Sequence, residues 1–265
     1  MSGKKKLNGE EKFENYYSDI YGERWIKIRE AFLKEKEPVS LSGPLVKPYY
    51  MDSASILAAS VLPVRESDTV LDMCAAPGGK SLILAMKLNG TGTLVANDRS
   101  PARRTRLAAV LKECLPPELN SNIRITGHDS TTWSLYEKDV YDRILLDAPC
   151  SSERHVIMDP QALSIWGTGR PKSLAIRQFA MLCAALDAVK TGGFILYSTC
   201  SINPMENNRV IEKLLNKRKG RVEVCKPDLH DKILKAEELD YGSIVMPDTS
   251  DGAGPLYFCL LRRLS

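Results

Sequence analysis

The chain has 265 residues, 43% of them hydrophobic and 26% charged, with 37 Lys and Arg against 33 Asp and Glu for a formal net charge of +4. This is the balance of a globular chain with one sizeable core; disordered, collagen-like and disulfide-stapled classes are excluded, and the longest apolar stretches, around residues 56–64 and 179–189, fall short of the roughly 17 residues of a membrane span. A charge of +4 is too small to announce nucleic-acid binding by itself, so any such reading must come from local clusters.

Residues 1–6 carry a Lys triplet, but Glu10, Glu11 and Glu14 follow, whereas transit peptides are Arg-rich and poor in acids. Composition therefore supports no targeting role. From Phe13 the apolar positions Tyr16, Tyr17, Ile20, Tyr21, Trp25, Ile28, Phe32 and Leu33 recur with a helical period, which predicts one amphipathic helix over 13–33. Pro38, Gly43, Pro44 and Pro48 break it, dividing the chain into a helical extension with linker, 1–47, and a main domain, 48–265. The pattern then predicts a helix over 53–61, a strand over 69–73, a Gly-rich turn and a helix from about residue 80. Next come a strand at 92–97, a helix at 102–114, strands at 123–126 and 141–147, a helix at 172–190, a strand at 193–199 and a helix at 206–217. Such alternation means a mostly parallel, doubly wound sheet. Strands at 243–246 and 256–261 with no helix between them predict an antiparallel edge hairpin.

Ligands of open α/β sheets sit beyond the carboxyl ends of the strands. After the first of these strands comes Asp72-Met73-Cys74-Ala75-Ala76-Pro77-Gly78-Gly79-Lys80, a glycine turn whose N–H groups open a helix. Taken alone it is equally a packing turn, since it is neither GxGxxG nor a GK[ST] phosphate cradle. Asp98 lies about 20 residues beyond the glycines, where such folds place a carboxylate for ribose hydroxyls; it is also placed to cap the following helix. Asp129 and Asp147 follow the next two strands, so four strand ends deliver Asp72, Asp98, Asp129 and Asp147 to one rim. Helix capping alone does not account for four acids. A ligand bearing amine and hydroxyl donors fits them, and S-adenosylmethionine has both plus a sulfonium; a nicotinamide dinucleotide prefers fewer acids.

The cysteines number seven, and the nearest pair, Cys183 and Cys200, is 17 positions apart, so no CxxC clip for zinc or dithiol chemistry exists and reduced, intracellular thiols are expected. Cys114, Cys183, Cys225 and Cys259 read as inert apolar residues. Cys150, in Asp147-Ala148-Pro149-Cys150-Ser151, and Cys200, in Ser198-Thr199-Cys200-Ser201, each fall just past a strand on the ligand face. A reaction that needs a thiolate, a carboxyl group and S-adenosylmethionine together is methylation at C5 of a pyrimidine. C5 of cytosine is too poor a nucleophile until a thiolate adds to C6 and makes the ring an enamine; afterwards the C5 proton and the thiolate must leave.

In that order and spacing DMCAAPGGK, DAPCS and STCS resemble the motifs of the RNA 5-methylcytosine methyltransferases, the bacterial Fmu and eukaryotic Sun-domain family, from about Pro48 to the C-terminus. The resemblance implies a Rossmann-like S-adenosylmethionine-dependent methyltransferase fold. It implies that Cys200 attacks, Cys150 releases the adduct and Asp147 holds the base edge, with Lys80 a further member of the catalytic set. Cys74, Ala75, Ala76, Pro77, Gly78, Gly79, Lys80, Asp98, Arg103, Asp129 and Asp147 would line the cofactor site. DNA 5-methylcytosine enzymes attack with the PC cysteine and lack the TC one, so the pair implies RNA. Tyr21-Gly22, Trp25, Ile28-Arg29, Asp142-Arg143, Glu153-Arg154-His155 and the ending Gly254-Pro255-Leu256-Tyr257-Phe258-Cys259 resemble the short mitochondrial branch. Members of that branch methylate mitochondrial small-subunit rRNA or a mitochondrial tRNA, and one acts with a helical-repeat partner of the mitochondrial transcription termination factor type. A mitochondrial location and such a partner are thereby implied, the more so because no dedicated RNA-binding domain is evident.

Basic residues cluster at Arg99, Arg103, Arg104 and Arg106, at Arg170, Lys172 and Arg177, and at Lys213, Lys217, Arg218, Lys219 and Arg221; each is either a solvated face or a phosphate track. The connection 151–170 is long enough to be functional, and Trp166 within it is expected to stack on a flipped nucleotide. His155 is a candidate phosphate contact; His128 and His230 have no ligand company, so no metal site is expected. The rival readings are a non-catalytic ribosome-assembly factor, which loss of either cysteine would have favoured, and a nicotinamide oxidoreductase, whose motifs are missing.

Overall fold

The computed structural model describes residues 8–227 and 234–265; His230 lies outside them. Asn8 caps α1 (Gly9–Tyr21): its side chain accepts from the Glu11 N–H at 2.8 Å while Glu11 accepts from the Asn8 N–H at 2.9 Å. The stripe predicted as one helix is two. Gly22 has φ 56°, which a right-handed helix cannot continue, and α2 (Arg24–Leu33) starts anew. The break folds Trp25 back onto Tyr17 at 5.2 Å between ring centroids. The predicted linker contains β1 (Val39–Ser40), paired antiparallel with β2 (Tyr50–Met51). Asp52 then caps α3 (Ser53–Val61).

The alternating part runs β3 (Thr69–Asp72), α4 (Gly79–Leu88), β4 (Thr93–Asn97), α5 (Pro101–Cys114), α6 (Pro117–Asn120), β5 (Ile123–Thr126), a 3-10 segment Ser130–Leu135, and β6 (Tyr141–Asp147). It continues with α7 (Glu153–Met158), α8 (Pro160–Ser164), α9 (Gly169–Ala188), β7 (Val189–Thr199), α10 (Asn208–Lys217) and β8 (Val222–Cys225), and closes with β9 (Ala236–Glu238), β10 (Ser243–Val245) and β11 (Leu256–Arg263). The order β5-β4-β3-β6-β7-β11-β10-β9, with β8 also on β11, is parallel through β7 and antiparallel beyond. This is the predicted Rossmann-like sheet. Alternate residues of its strands feed two cores: Leu71, Ile144, Ile195 and Tyr257 face α1, α2 and α9, whereas Val70, Leu145, Leu196 and Phe258 face α3, α4 and α5. Among the described residues no helix is long and apolar enough to cross a membrane.

Two further expectations change. The helix predicted to reach residue 190 ends at Ala188, because Val189 and Lys190 already belong to β7. The antiparallel hairpin predicted at the C-terminal edge is present as β10 and β11, extended outward by β9, with β11 between β7 and β10 as its doubly buried Leu-Tyr-Phe-Cys-Leu-Leu run requires. The long connection 151–170 is not open loop but holds α7 and α8, and Trp166 is only 3% exposed. Its indole packs edge-on against Phe13 at 5.1 Å and near Tyr16 at 5.4 Å, so it anchors the N-terminal helices instead of offering a platform to a base. Trp166→Ala should accordingly lower unfolding free energy by about 3–5 kcal/mol in denaturant titration, the usual cost of truncating a buried aromatic. A variant of wild-type stability that bound RNA less well would return Trp166 to the substrate surface.

Candidate active site

β6 and β7 pair in parallel with Asp147 opposite Ser198, so the residues that follow each strand emerge side by side. Cys150 and Cys200 meet there as two free thiols with their Sγ atoms 2.9 Å apart. Cys200 is exposed and Cys150 half-buried. Ser152, whose backbone is left-handed at φ 52°, turns its Oγ to 3.2 Å from Cys200 Sγ and 3.6 Å from Cys150 Sγ. A non-glycine residue adopts that conformation only where its surroundings enforce it. The hydrogen bond from Cys150, helped by that from Ser152, holds the Cys200 thiol below the ordinary value although the surrounding loops, which crowd the sulfur even where the residue is exposed, desolvate it and push the other way. The same thiol contact, followed by burial, drives Cys150 well up. One sulfur is thus prepared to be a thiolate and the other to be its donor.

Lys80, at the start of α4, places Nζ 2.6 Å from Asp147 Oδ2, and Ser198 Oγ donates to Oδ1 at 2.8 Å. Burial works to lower the Lys80 ammonium, but the Asp147 carboxylate outweighs it and the group is raised. The result is a carboxylate and an ammonium fixed side by side next to the thiols. They line a cleft of about 170 Å³ together with Ala75, Ala76, Pro77 and Gly79 of the glycine turn. Gly78, at φ 123°, allows the turn; a Cβ there would meet Val110 at 3.0 Å.

Cys74 joins this cleft to a larger one of about 430 Å³ lined by Asp98, Arg99, Ser100, Arg103, Ser130, Arg177 and Met181. Asp98 is not the cap of α5, which is Ser100; its Oδ1 accepts from the Ser100 N–H at 2.9 Å and its Oδ2 faces Arg103 Nε at 3.3 Å. Arg103 also donates to the Ala76 carbonyl, tying the acid to the glycine turn. Asp129 stands apart from the lining: it caps the 3-10 segment and pairs with Arg99 at 3.0 Å, and Ser130 takes its place at the wall. Asp72 is buried with Ser81 donating to Oδ2 at 2.7 Å, Oδ1 has no partner, and burial pushes the carboxyl up to about 7. Burial also pushes the Cys74 thiol up to about 12, which leaves it no nucleophilic part.

A third cleft, about 450 Å³, opens over Cys200 and is bounded by Asp52, Ser55, Ser152, Arg154, His155, Met158 and Pro255. Sequence reasoning missed Ser152, Asp52 and Ser55, which no motif singles out and only the packing of α3 and α7 delivers. His128, by contrast, stacks beside Tyr136 at 4.1 Å, away from the thiols. Among the described residues no cluster of His, Cys, Asp and Glu has the grouping of a metal site.

The family model of the 16S rRNA methyltransferase RsmB/F matches residues 59–262. The chain belongs to this family of RNA 5-methylcytosine methyltransferases. It is 37% identical over 236 residues to the 5-cytosine rRNA methyltransferase NSUN4 of Mus musculus, covering 83% of this chain and 61% of the relative. It is 32% identical over 240 residues to the mitochondrial tRNA (cytosine(34)-C(5))-methyltransferase of Danio rerio, covering 84% and 62%. The chain thus spans about three fifths of the length of these curated relatives. A methyltransferase homolog protein from Pyrococcus horikoshii shares the fold with a TM-score of 0.74 at 22% identity, covering 97% of this chain and 99% of that one.

In this family member site-resolved alkylation against pH should find Cys200 reacting along a limb centred below the ordinary thiol value of about 8.5. A lowered thiol is ionised from a lower pH upward, so Cys150 should stay unmodified where Cys200 already reacts. Ser152→Ala should move the Cys200 limb to higher pH; an unmoved limb would remove Ser152 from the site.

Proposed function

We propose that the protein is an S-adenosylmethionine-dependent RNA cytosine-C5 methyltransferase working through a covalent Cys200–C6 adduct. The observation that carries this reading is the Cys150–Cys200 contact beside the Lys80–Asp147 pair. The donor set suits the cofactor: the buried, unpartnered Asp72 Oδ1 lies in the wall of the cleft with the glycine turn, and Asp98 stands where ribose hydroxyls would need an acceptor. When bound, S-adenosylmethionine supplies an electrophilic methyl group on its sulfonium. Cys74, Ala75, Ala76, Pro77, Gly78, Gly79, Asp98 and Arg103 would hold it, with Asp129 fixing Arg99 behind the wall.

The remaining chemistry belongs to the chain's own groups. Cytosine presents an amine donor at N4 and acceptors at N3 and O2, which the Asp147 carboxylate and the Lys80 ammonium match in charge. Cys200 Sγ adds to C6; the negative charge that spreads to N3 and O2 meets the ammonium, and C5 becomes nucleophilic. After C5 is methylated its proton passes to water in the open cleft, the C5–H electron pair forms the C5=C6 double bond, and the Sγ–C6 bond breaks with its electron pair returning to sulfur. Cys150, protonated and 2.9 Å away, is placed to assist departure by donating to that sulfur. Arg154 and His155 border the entry to Cys200; the exposed His155 suits a phosphate of the target strand, while Arg154 donates to the Gly252 carbonyl at 2.6 Å and lies over the Phe32 ring. Of the other basic clusters, two are partly engaged, since Arg104 donates to the carbonyls of Asp98 and Arg99, Lys213 lies over the Phe179 ring, and Arg218 and Arg221 face Asp187, whereas Arg170, Lys172 and Arg177 are exposed, Arg177 at the wall of the larger cleft.

Similarity to rRNA- and mitochondrial tRNA-modifying proteins supports a mitochondrial small-subunit rRNA or tRNA as substrate and a mitochondrial location. Residues 48–265 form the catalytic domain in this reading, with 1–47 as its helical extension. A helical-repeat partner would supply RNA selection. Ile26 and Leu33 of α2, with Val39 and Val46 after it, are exposed apolar residues of that extension, whereas the C-terminal hairpin is spent in the sheet.

The two thiols have separable roles. Cys200→Ala should abolish both methylation and any denaturation-resistant RNA complex; Cys150→Ala should still attack but accumulate an RNA–protein species on a denaturing gel, lost again in the double variant. Trapping by Cys200→Ala would exchange the roles, and no trapping with turnover intact would refute the covalent route. For the cofactor, Asp98→Ala should weaken S-adenosylmethionine binding in calorimetry by about 1–3 kcal/mol, the cost of unpaired donors. Unchanged affinity would remove Asp98 from the site.

A further inference from the structure

Behind the thiols lies a buried polar cluster that the chemistry above does not use. Glu153 and Glu206 are both fully buried. Glu206 accepts from the Ser151 N–H at 2.9 Å, the Ser151 hydroxyl and the Gln178 amide at 2.9 Å; Glu153 accepts from the Tyr17 hydroxyl at 2.6 Å and the Ile202 N–H at 3.2 Å. Ser201 Oγ stands between them, 2.8 Å from Glu153 and 3.2 Å from Glu206. One hydroxyl carries one proton, so the second of those contacts needs a proton on a carboxyl. Burial raises both groups, Glu153 to about 7, in keeping with a proton held between them.

The cluster grips both thiol loops. Ser151 adjoins Cys150 and Ser201 adjoins Cys200, so the two backbones that carry the sulfurs are fastened to the same carboxyl pair. From α1, Tyr17 reaches Glu153, Tyr21 donates to the Ile202 carbonyl, and Tyr16 accepts from Asn203 at 3.1 Å. From α9, Gln178 bridges Glu206 and the Pro149 carbonyl. The matched family region begins at residue 59, so α1 contributes to the site from outside it.

We propose that Glu153 and Glu206, held by Tyr17 of the N-terminal helix, are positioning residues that set the spacing of Cys150 and Cys200 and with it the reactivity of Cys200. The catalytic meaning of this role rests on the cytosine-methylation reading, but the spacing itself does not. A sulfur–sulfur hydrogen bond weakens steeply with distance, so loosening either loop withdraws the donor that keeps Cys200 ionisable. The titratable groups that face Cys200 are Cys150, Asp147, Lys80 and Glu153 behind it and Asp52, Arg154 and His155 around the cleft. Tyr17→Phe removes a donor that lowers Glu153; a more fully protonated Glu153 would ease ionisation of Cys200, so an upward move of the Cys200 limb in that variant reports geometry and not charge.

The test compares the full chain with Tyr17→Phe, Glu206→Ala and Glu206→Gln, by site-resolved iodoacetamide alkylation without RNA, thermal melting, and methylation kinetics. Tyr17→Phe and Glu206→Ala should slow Cys200 alkylation at pH 7 about tenfold, move its limb upward, and lower kcat about 10–100-fold with KM for S-adenosylmethionine within about twofold. Glu206→Gln should recover alkylation to within about threefold of wild type, because Ser151 and Ser201 hydroxyls can turn to accept from its amide. A folded Tyr17→Phe with the wild-type Cys200 profile overturns the proposal, and it decides the matter if Glu206→Ala fails to fold. Glu206→Gln as slow as Glu206→Ala also overturns it. A wild-type chain with a reactive Cys200 that methylates no RNA refutes the function instead, and the alkylation comparison then carries the positioning claim alone.

Discussion

The parallel pairing of β6 with β7 is the constraint on which the rest depends. Its register sets Asp147 opposite Ser198, and from that single alignment the carboxylate, the hydroxyl that holds it and both thiols arrive at one place. A slip of one residue would turn every side chain of one strand to the other face. Register here is marked where the strands leave the core, because Ser198 donates to Asp147 at 2.8 Å and a one-residue slip would break that contact.

The acids of the rim are not equivalent, although they occupy equivalent positions in the topology. Asp147, Asp98 and Asp129 are each matched by a cation, Lys80, Arg103 and Arg99, while Asp72 is sealed inside with a serine and shifted upward by burial. A bare acidic rim would repel itself and hold no defined shape. Pairing three of the four keeps the carboxylates in place and leaves lone pairs free for donors.

The N-terminal helices do more than cover hydrophobic surface. Phe13, Tyr17 and Trp25 with Trp166 make an aromatic cluster under α7 and α8, and the same tyrosine row sends hydroxyls into the loop after Cys200. Packing and chemistry share residues there, so the stability of the extension and the geometry of the nucleophile are linked. Buried carboxyls without cations are costly unless every lone pair is used; Glu153 and Glu206 meet that condition through neutral donors from four separate segments.

The sequence by itself determined the class of sheet, the strand ends and the candidate chemistry. Periodicity and strand–helix alternation are local properties, and the motifs at residues 72–80, 147–151 and 198–201 lie at strand ends wherever the chain folds this way. It also singled out Cys150, Cys200, Asp147 and Lys80 as candidates, which the fold brings together. What it could not show was which of its apolar and polar residues meet across long separations. Trp166 reads as a surface aromatic because burial against Phe13, some 150 positions away, leaves no local trace. Gly22 hides a helix break inside an unbroken stripe, since periodicity survives a turn that restarts in phase. Glu206 and Glu153 read as ordinary helix-flanking acids, for charge suggests solvent until a fold supplies enough neutral donors to bury it. Pairing partners, ionisation and the separation of the two sulfurs were decided by tertiary structure alone, because each is a property of distances that the chain closes only when the sheet forms.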